Sequence, residues 1–555
     1  MRTDPDPPLP AIPWSLRKKH ANVIASVCIA IFVLKAATSM VQESSTWDET
    51  HYFGLGKYLL SHGRWDVPGS ILHPPLSFYL HSLPLLFVTT DPAVWQSDPA
   101  RSERVAYRGA ANLPRGQALL SAPANRDNFL LNSSRMMMVL TGALLACFVY
   151  RWSSSLYGPW AGLTATVLCC FCPNILAHSR LITPDITLTT FWFISLYYLW
   201  RVSKEGRMRD TILGGICFGL ALLSKFTALL LVPIYFVVVT LWWLQTRTGN
   251  LRRFLLFGAI GAFILPVGYG MNLEPFFAGI GYQFAHAQAN PSFLFGGYSL
   301  TGWWYYFPLA FLIKTPVVLL LFLVLASLRA IRNGAANFLT NESFLIVPVI
   351  VMFSYFCFSH HPICLRYVLP VYPLLFVFGS GVANLLLSKK ILTASYLVAL
   401  AWYVAASSII HPHYLAYFNE LVGGPRNGYK YLVDSNLDWG QDLKGLGAFM
   451  HERGISRINL SYFGTDSPER YGISYYRLPS LVLRDPNPGG PKVPAKDWVA
   501  ISATNLRGVS LKDRDTYAAF RNRQPFAMIG YSILIYRLED DMVLPGETEL
   551  PAKTQ

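Results

Sequence analysis

Charge is scarce in this chain: 14% of its 555 residues are Asp, Glu, Lys or Arg, while 53% are hydrophobic and the mean hydropathy is +0.34. That balance excludes a soluble globular protein of this length. Cysteine is missing where a secreted scaffold would need it. Cys28, Cys147, Cys169, Cys170, Cys172, Cys217 and Cys357 fall in apolar stretches and Cys364 lies just outside one, so neither a disulfide framework nor a thiolate zinc cluster is expected. No HxxxH spacing argues for a metal, and no internal repeat of fixed period is present. The net charge of +15 comes without a basic stripe interleaved with aromatics, which argues against a nucleic-acid partner. No small-residue cleavage site follows the first apolar run, so it reads as a permanent anchor rather than a signal peptide.

What the chain has in abundance is long apolar stretches, and about 20 such residues suffice to cross a bilayer as a helix. About eleven are expected, near 22–40, 136–152, 159–177, 186–201, 211–224, 227–245, 254–271, 315–328, 343–359, 367–387 and 391–410. Short cytoplasmic loops carry the positive excess. With Arg17, Lys18 and Lys19 inside, the later inside loops hold Arg151, then Arg201, Lys204, Arg207 and Arg209, then Arg247, Arg252 and Arg253, then Arg329 and Arg332, then Lys389 and Lys390. Apolar length and charge position therefore agree. They predict an integral membrane protein with a cytoplasmic N-terminus.

Two regions lie outside the spans. Residues 1–410 form the predicted membrane domain, whose long first extracytoplasmic loop covers 41–135; residues 411–555 form a soluble extracytoplasmic α/β domain with a frayed tail. In the loop, Thr50 to Leu60 fits an amphipathic interfacial helix, the apolar run Ser77 to Val88 lies flat or dips in, and 91–128 is a polar excursion. A second outside loop, 272–304, holds Asn272, Glu274, His286 and Gln288. Past Ile410, β-branched runs at Tyr431–Val433, Arg457–Phe463, Trp498–Thr504 and Phe526–Leu538 read as strands, with Gly440–Arg453 and Leu511–Asn522 as helices between them.

Acidic residues stand at two of the predicted outer ends: Asp48 and Glu49 after the first span, and Asp185 before the fourth. Ionisable groups are costly to keep dry at a membrane boundary, so acids converging from separate helix ends suggest chemistry or transport. Interfacial solvation and helix capping are the rival readings. Aspartate is a favoured N-cap, which suits Asp48 before a helix near Thr50, and Asp185 follows Pro184 where the helix dipole favours negative charge.

Four segments carry a family resemblance: Asp48-Glu49, His73-Pro74-Pro75-Leu76, the turn Ala177-His178-Ser179-Arg180 to Thr183-Pro184-Asp185, and Leu223-Ser224-Lys225-Phe226. With Arg366-Tyr367-Val368-Leu369-Pro370 and Asp434 to Asp442 behind them, the chain resembles the polyprenyl-phosphate-sugar-dependent glycosyltransferases of the GT-C membrane fold. Protein O-mannosyltransferases and the aminoarabinose transferases that modify lipid A belong to that superfamily. The likeness covers residues 20–445 in order and departs at His73, where the aminoarabinose transferases have lysine.

The resemblance implies an inverting transfer of sugar from a polyprenyl-phosphate carrier to a protein, lipid or glycan acceptor, in a bacterial inner membrane. Asp48 is the candidate base for the acceptor hydroxyl, with Glu49 orienting it or the acceptor and Asp185 organising donor or metal. The leaving group is already a stable anion and calls for cations. Lys225 and Arg366, then Lys314, Arg180 and His73, are the candidates for the donor phosphate, against the plainer reading that boundary Lys and Arg snorkel to headgroups. A divalent metal on Asp48, Glu49 and Asp185 is left open and unassigned. Asp434, Asp438, Trp439 and Asp442 read first as residues closing the fold of the exported domain, and second as acceptor recognition. A lipid or solute transporter is the alternative from another class, but it calls for charges near the midplane and paired broken helices. Glycoside hydrolysis by two carboxylates ranks below transfer, since it requires one acid to stay protonated.

Overall fold

The structure is a computed structural model and describes residues 14–65, 67, 69–89, 113–247, 251–285, 291–358, 364–387, 389–483, 485–486, 495, 497–538 and 544–545. Each of the eleven predicted apolar stretches is helical, but they are not eleven straight spans. Among the described residues, six helices are long and apolar enough to cross a membrane: Lys19–Met40, Pro123–Tyr157, Phe226–Thr246, Leu251–Gly268, Ala335–Cys357 and Lys390–Ile409. Two further stretches are bent pairs, Pro159–Cys170 with Pro173–Ser179 at 61° and Tyr306–Lys314 with Val317–Asn333 at 113°. The bends fall at Pro173 and Pro316, where the ring removes a helical donor. Counting each pair once gives eight.

The other three stretches fall short for separate reasons. Pro184–Glu205 has 22 residues, yet Thr, Tyr and Trp dilute its hydropathy and most of it is buried inside the bundle. Met208–Leu222 has only 15 residues and Val371–Ser380 only 10. Phe129–Tyr157 is the central pillar, packed against Trp14–Met40, Pro159–Cys170 and Pro184–Glu205. Trp152, Trp192, Phe193 and Tyr197 fill the space between these helices.

The first long loop is more folded than the sequence suggests. Instead of one interfacial helix from Thr50 to Leu60, Trp47–Tyr52 and Leu55–His62 are separated at Gly54, whose φ of +78° breaks the helix. The Ser77–Val88 run forms a helix Leu76–Ser82 and a 3-10 turn Leu83–Phe87 whose Phe78 and Leu85 are buried. Within the expected excursion 91–128, the part that is described folds as a helix Leu113–Ser121 and a turn Pro123–Asn128, because Leu119 and Leu120 find a core to enter. Residues 91–112, His286 and Gln288 lie outside the described residues. In the second loop a helix Glu274–Ala285 precedes a hairpin of β1 (Ser292–Leu294) and β2 (Gly297–Ser299).

Among the described residues downstream of the last apolar helix, five strands form one sheet: β3 (Ile458–Ser461), β4 (Tyr475–Arg477), β5 (Trp498–Ser502), β6 (Ala527–Ile529) and β7 (Ile533–Arg537), in the order β4-β3-β5-β7-β6. β3 runs parallel to β4 and β5, whereas β7 is antiparallel to β5 and β6. The single run expected at Phe526–Leu538 is a hairpin, turned at Gly530 and Tyr531 with positive φ. Tyr431–Val433 is no strand; Leu432 and Val433 are buried in irregular backbone. The helix at Leu443–Glu452 matches its expected place, but Leu511–Asn522 shrinks to Ala518–Arg521.

One buried ion pair ties these parts together. Arg135, near the start of Phe129–Tyr157, donates to both Glu49 oxygens at 2.8 and 2.6 Å and to the carbonyls of Met40 and Ser44 at 2.8 Å each. Glu49 also accepts from the Thr46 amide at 2.9 Å and the Ile182 amide at 3.2 Å. Burial opposes its charge, but Arg135 and these donors outweigh that and hold the carboxyl below its ordinary range. Glu49→Gln leaves Arg135 buried without a counter-charge and is expected to destabilise the protein by about 3–5 kcal/mol, read as thermal unfolding in detergent. The folded carboxyl titrates below the unfolded one, so the pair's contribution is complete above the unfolded value and is lost as pH falls through the folded one.

Candidate active site

Thr46, not Asp48, stands at the N-cap of Trp47–Tyr52, and Glu49 completes the capping box. Asp48 is therefore free of capping duty. With Glu49 turned to Arg135, its neighbour points elsewhere around the helix. Asp48 Oδ2 accepts from Arg366 Nη1 at 2.8 Å.

Arg366 sits in the 3-10 turn Leu365–Val368 that introduces Val371–Ser380. The same Nη1 lies 3.5 Å from Asp185 Oδ2. Asp185 is in the first turn of Pro184–Glu205, and its other oxygen accepts from Lys225 Nζ at 2.7 Å. Lys225 follows the end of Met208–Leu222. Four separate segments thus place two carboxylates and two cations in one cluster, and the charges balance. Burial disfavours ionised Asp185, but Lys225 and then Arg366 overcome it and pull its carboxyl far below the usual range.

The cluster has a dry side and an open side. Side-chain exposure rises from 1% at Asp185 through 9% at Lys225 and 12% at Arg366 to 20% at Asp48. Aromatic faces line it. The Lys225 ammonium lies 4.8 Å from the Tyr367 ring, and the Arg366 guanidinium lies 4.1 Å from the Trp439 ring. His73 packs edge-on to Tyr52, and burial, followed by the charge of Lys225, pushes its imidazole down to about 3. It lies beside the cluster as a buried imidazole whose neutral form is favoured.

Two of the other expected cations are committed elsewhere. Arg180 is wholly buried and pairs with Glu43 at 2.5 Å. Lys314 is buried as well, and its Nζ donates to the carbonyls of Leu415, at 2.8 Å, and Asn436. Glu49, expected to orient Asp48 or the acceptor, instead locks the backbone beneath Asp48. The metal option fares no better: among the described residues no three His, Cys, Asp or Glu side chains gather to hold an ion. Asp48 and Asp185 already take cations, and Glu49 faces Arg135.

The sequence assigns no role to Tyr367 or Arg135, and does not place Trp439 against Arg366. Tyr367 adjoins Arg366 in the motif, which is a usable signal. Arg135 stands one residue before a predicted span, where an arginine reads as a snorkelling anchor. Trp439 reads from the sequence first as fold closure and second as acceptor recognition, because nothing there says that residues 439 and 366 touch.

Residues 128–268 match the family model described as dolichyl-phosphate-mannose-protein mannosyltransferase, a stretch that includes Asp185 and Lys225. No curated protein matches the chain. Among solved structures, ArnT from Cupriavidus metallidurans in the apo state is 14% identical, over 93% of this chain and 98% of that one, at a TM-score of 0.49. The same protein bound to undecaprenyl phosphate gives 13%, 92%, 97% and 0.47. Arabinofuranosyltransferase AftD from Mycobacteria is 12% identical over 85% of this chain and 36% of its own, at 0.39. The family match over 128–268 bears out the resemblance read from the sequence: this chain is similar to the membrane glycosyltransferases that take sugars from polyprenyl-phosphate carriers.

Proposed function

We infer that the chain is a GT-C-like inverting glycosyltransferase that moves a sugar from a polyprenyl-phosphate carrier to an acceptor outside the cytoplasm, in a bacterial inner membrane. The observation that carries this reading is the position of Arg366, whose guanidinium lies between Asp48 and Asp185 at the accessible edge of the cluster. Asp48 takes the proton of an acceptor hydroxyl. The freed oxygen attacks the anomeric carbon as the bond to the carrier phosphate breaks on the opposite face, and the carrier phosphate keeps the electron pair. Arg366 and Lys225 meet the charge that develops on that phosphate. Asp185 holds both cations in place, and Glu49 with Arg135 fixes the helix that carries Asp48. The acceptor is a hydroxyl-bearing protein, lipid or glycan.

Two variants separate transfer from transport. Asp48→Asn is expected to lower the turnover of sugar transfer in vesicles by roughly 10²–10⁴-fold, the usual span for losing a general base, without weakening carrier binding. Full activity in that variant removes Asp48 from the role, and carrier movement between leaflets with no bond formed favours a transporter. Lys225→Met removes a charge-assisted contact and is expected to weaken binding of decaprenyl phosphate by about 10- to 100-fold. Unchanged affinity in equilibrium binding overturns the phosphate assignment.

A further inference from the structure

Two acids of the segment 434–442 anchor it to the C-terminal sheet. Asp438 Oδ2 accepts from the Thr504 amide at 2.8 Å, and Asp442 Oδ2 from the Ser532 hydroxyl at 2.6 Å, which fixes the segment to the sheet next to β5 and β7. Its other contacts face the carboxylate cluster. Asn436 Oδ1 accepts from the Leu365 amide at 2.9 Å, one residue before Arg366. The Trp439 ring covers the Arg366 guanidinium, and the Trp439 carbonyl accepts from the Trp47 amide at 2.8 Å, one residue before Asp48. Lys314, clamped onto the Asn436 carbonyl, stiffens the same segment from below.

One short stretch therefore grips both members of the Asp48–Arg366 pair by the residue that precedes each, and covers the cation with an aromatic face. Such contacts restrict the rotamers of a long flexible side chain, and orientation of this kind governs how well a cation meets a phosphate. Trp439 is 2% exposed, so the ring has no room to leave Arg366 without moving the segment. We propose that Trp439, supported by Asn436, is a positioning residue: a strut from the C-terminal region that holds Arg366 in register with Asp48 and Asp185. The proposal rests on the reading of Arg366 as a phosphate contact.

A double-mutant cycle tests it on the purified full-length protein in detergent micelles, with decaprenyl phosphate as the ligand and thermal unfolding followed in parallel. Arg366→Gln is expected to weaken binding by about 10- to 100-fold. Trp439→Leu is expected to weaken it by about 5- to 30-fold with the unfolding midpoint unchanged, and Trp439→Phe, which keeps a ring face over the guanidinium, to restore most of the loss. In the Arg366→Gln background, Trp439→Leu adds nothing. If Trp439→Leu lowers the midpoint, Trp439→Met fills the volume and takes its place in the cycle. Wild-type affinity in Trp439→Leu (or in Trp439→Met where that replaces it), or an equal loss with and without Arg366, overturns the strut while leaving the phosphate reading intact. Wild-type affinity in Arg366→Gln overturns both.

Discussion

A guanidinium shared by two carboxylates organises the buried charge cluster of this molecule. Arg366 touches Asp48 at 2.8 Å and lies 3.5 Å from Asp185, which also holds Lys225 at 2.7 Å. None of these groups tolerates burial alone, because an isolated ion loses far more hydration than a protein interior returns. Pairing is therefore a condition for bringing the four helix ends together. The same constraint explains why the partners come from distant parts of the sequence: each apolar helix can bring an ionised group to its end only if another helix supplies the counter-charge.

The second buried pair has a different task. Arg135 and Glu49 share no open edge with the first, and their hydrogen bonds run to the backbone at Met40, Ser44, Thr46 and Ile182. The two adjacent acids thus divide the work by helix geometry alone. Glu49 faces inward and secures the turn; Asp48, a third of a turn away, faces the cluster.

Much of the helical layout was legible in the sequence, since every predicted apolar stretch is helical, as one helix or a broken one. Straightness was not legible. Pro173 and Pro316 mark the bends, but whether a proline bends a span or merely starts a helix depends on packing that the linear pattern does not contain. Asp48, Asp185, Lys225 and Arg366 were all identifiable as ionised groups at helix ends. Arg180 and Lys314 looked identical to them at that level, and only their neighbours, Glu43 and the carbonyls of Leu415 and Asn436, set them apart. Trp439 was the hardest to read. Its importance lies in a contact across 73 residues, with Arg366, that no local rule predicts.

The brevity of Met208–Leu222 bears on depth. Fifteen residues rise about 22 Å as an α-helix, against a hydrocarbon core roughly 30 Å thick. If Arg207 and Arg209 anchor its start at one headgroup layer, a helix of this length leaves its far end, and Lys225 just beyond it, short of the opposite layer. The cationic floor is then recessed below the lipid surface, or the bilayer thins around it. Under the proposed function, the carrier phosphate would then have to descend below the headgroups to meet Lys225, with its tail staying in hydrocarbon.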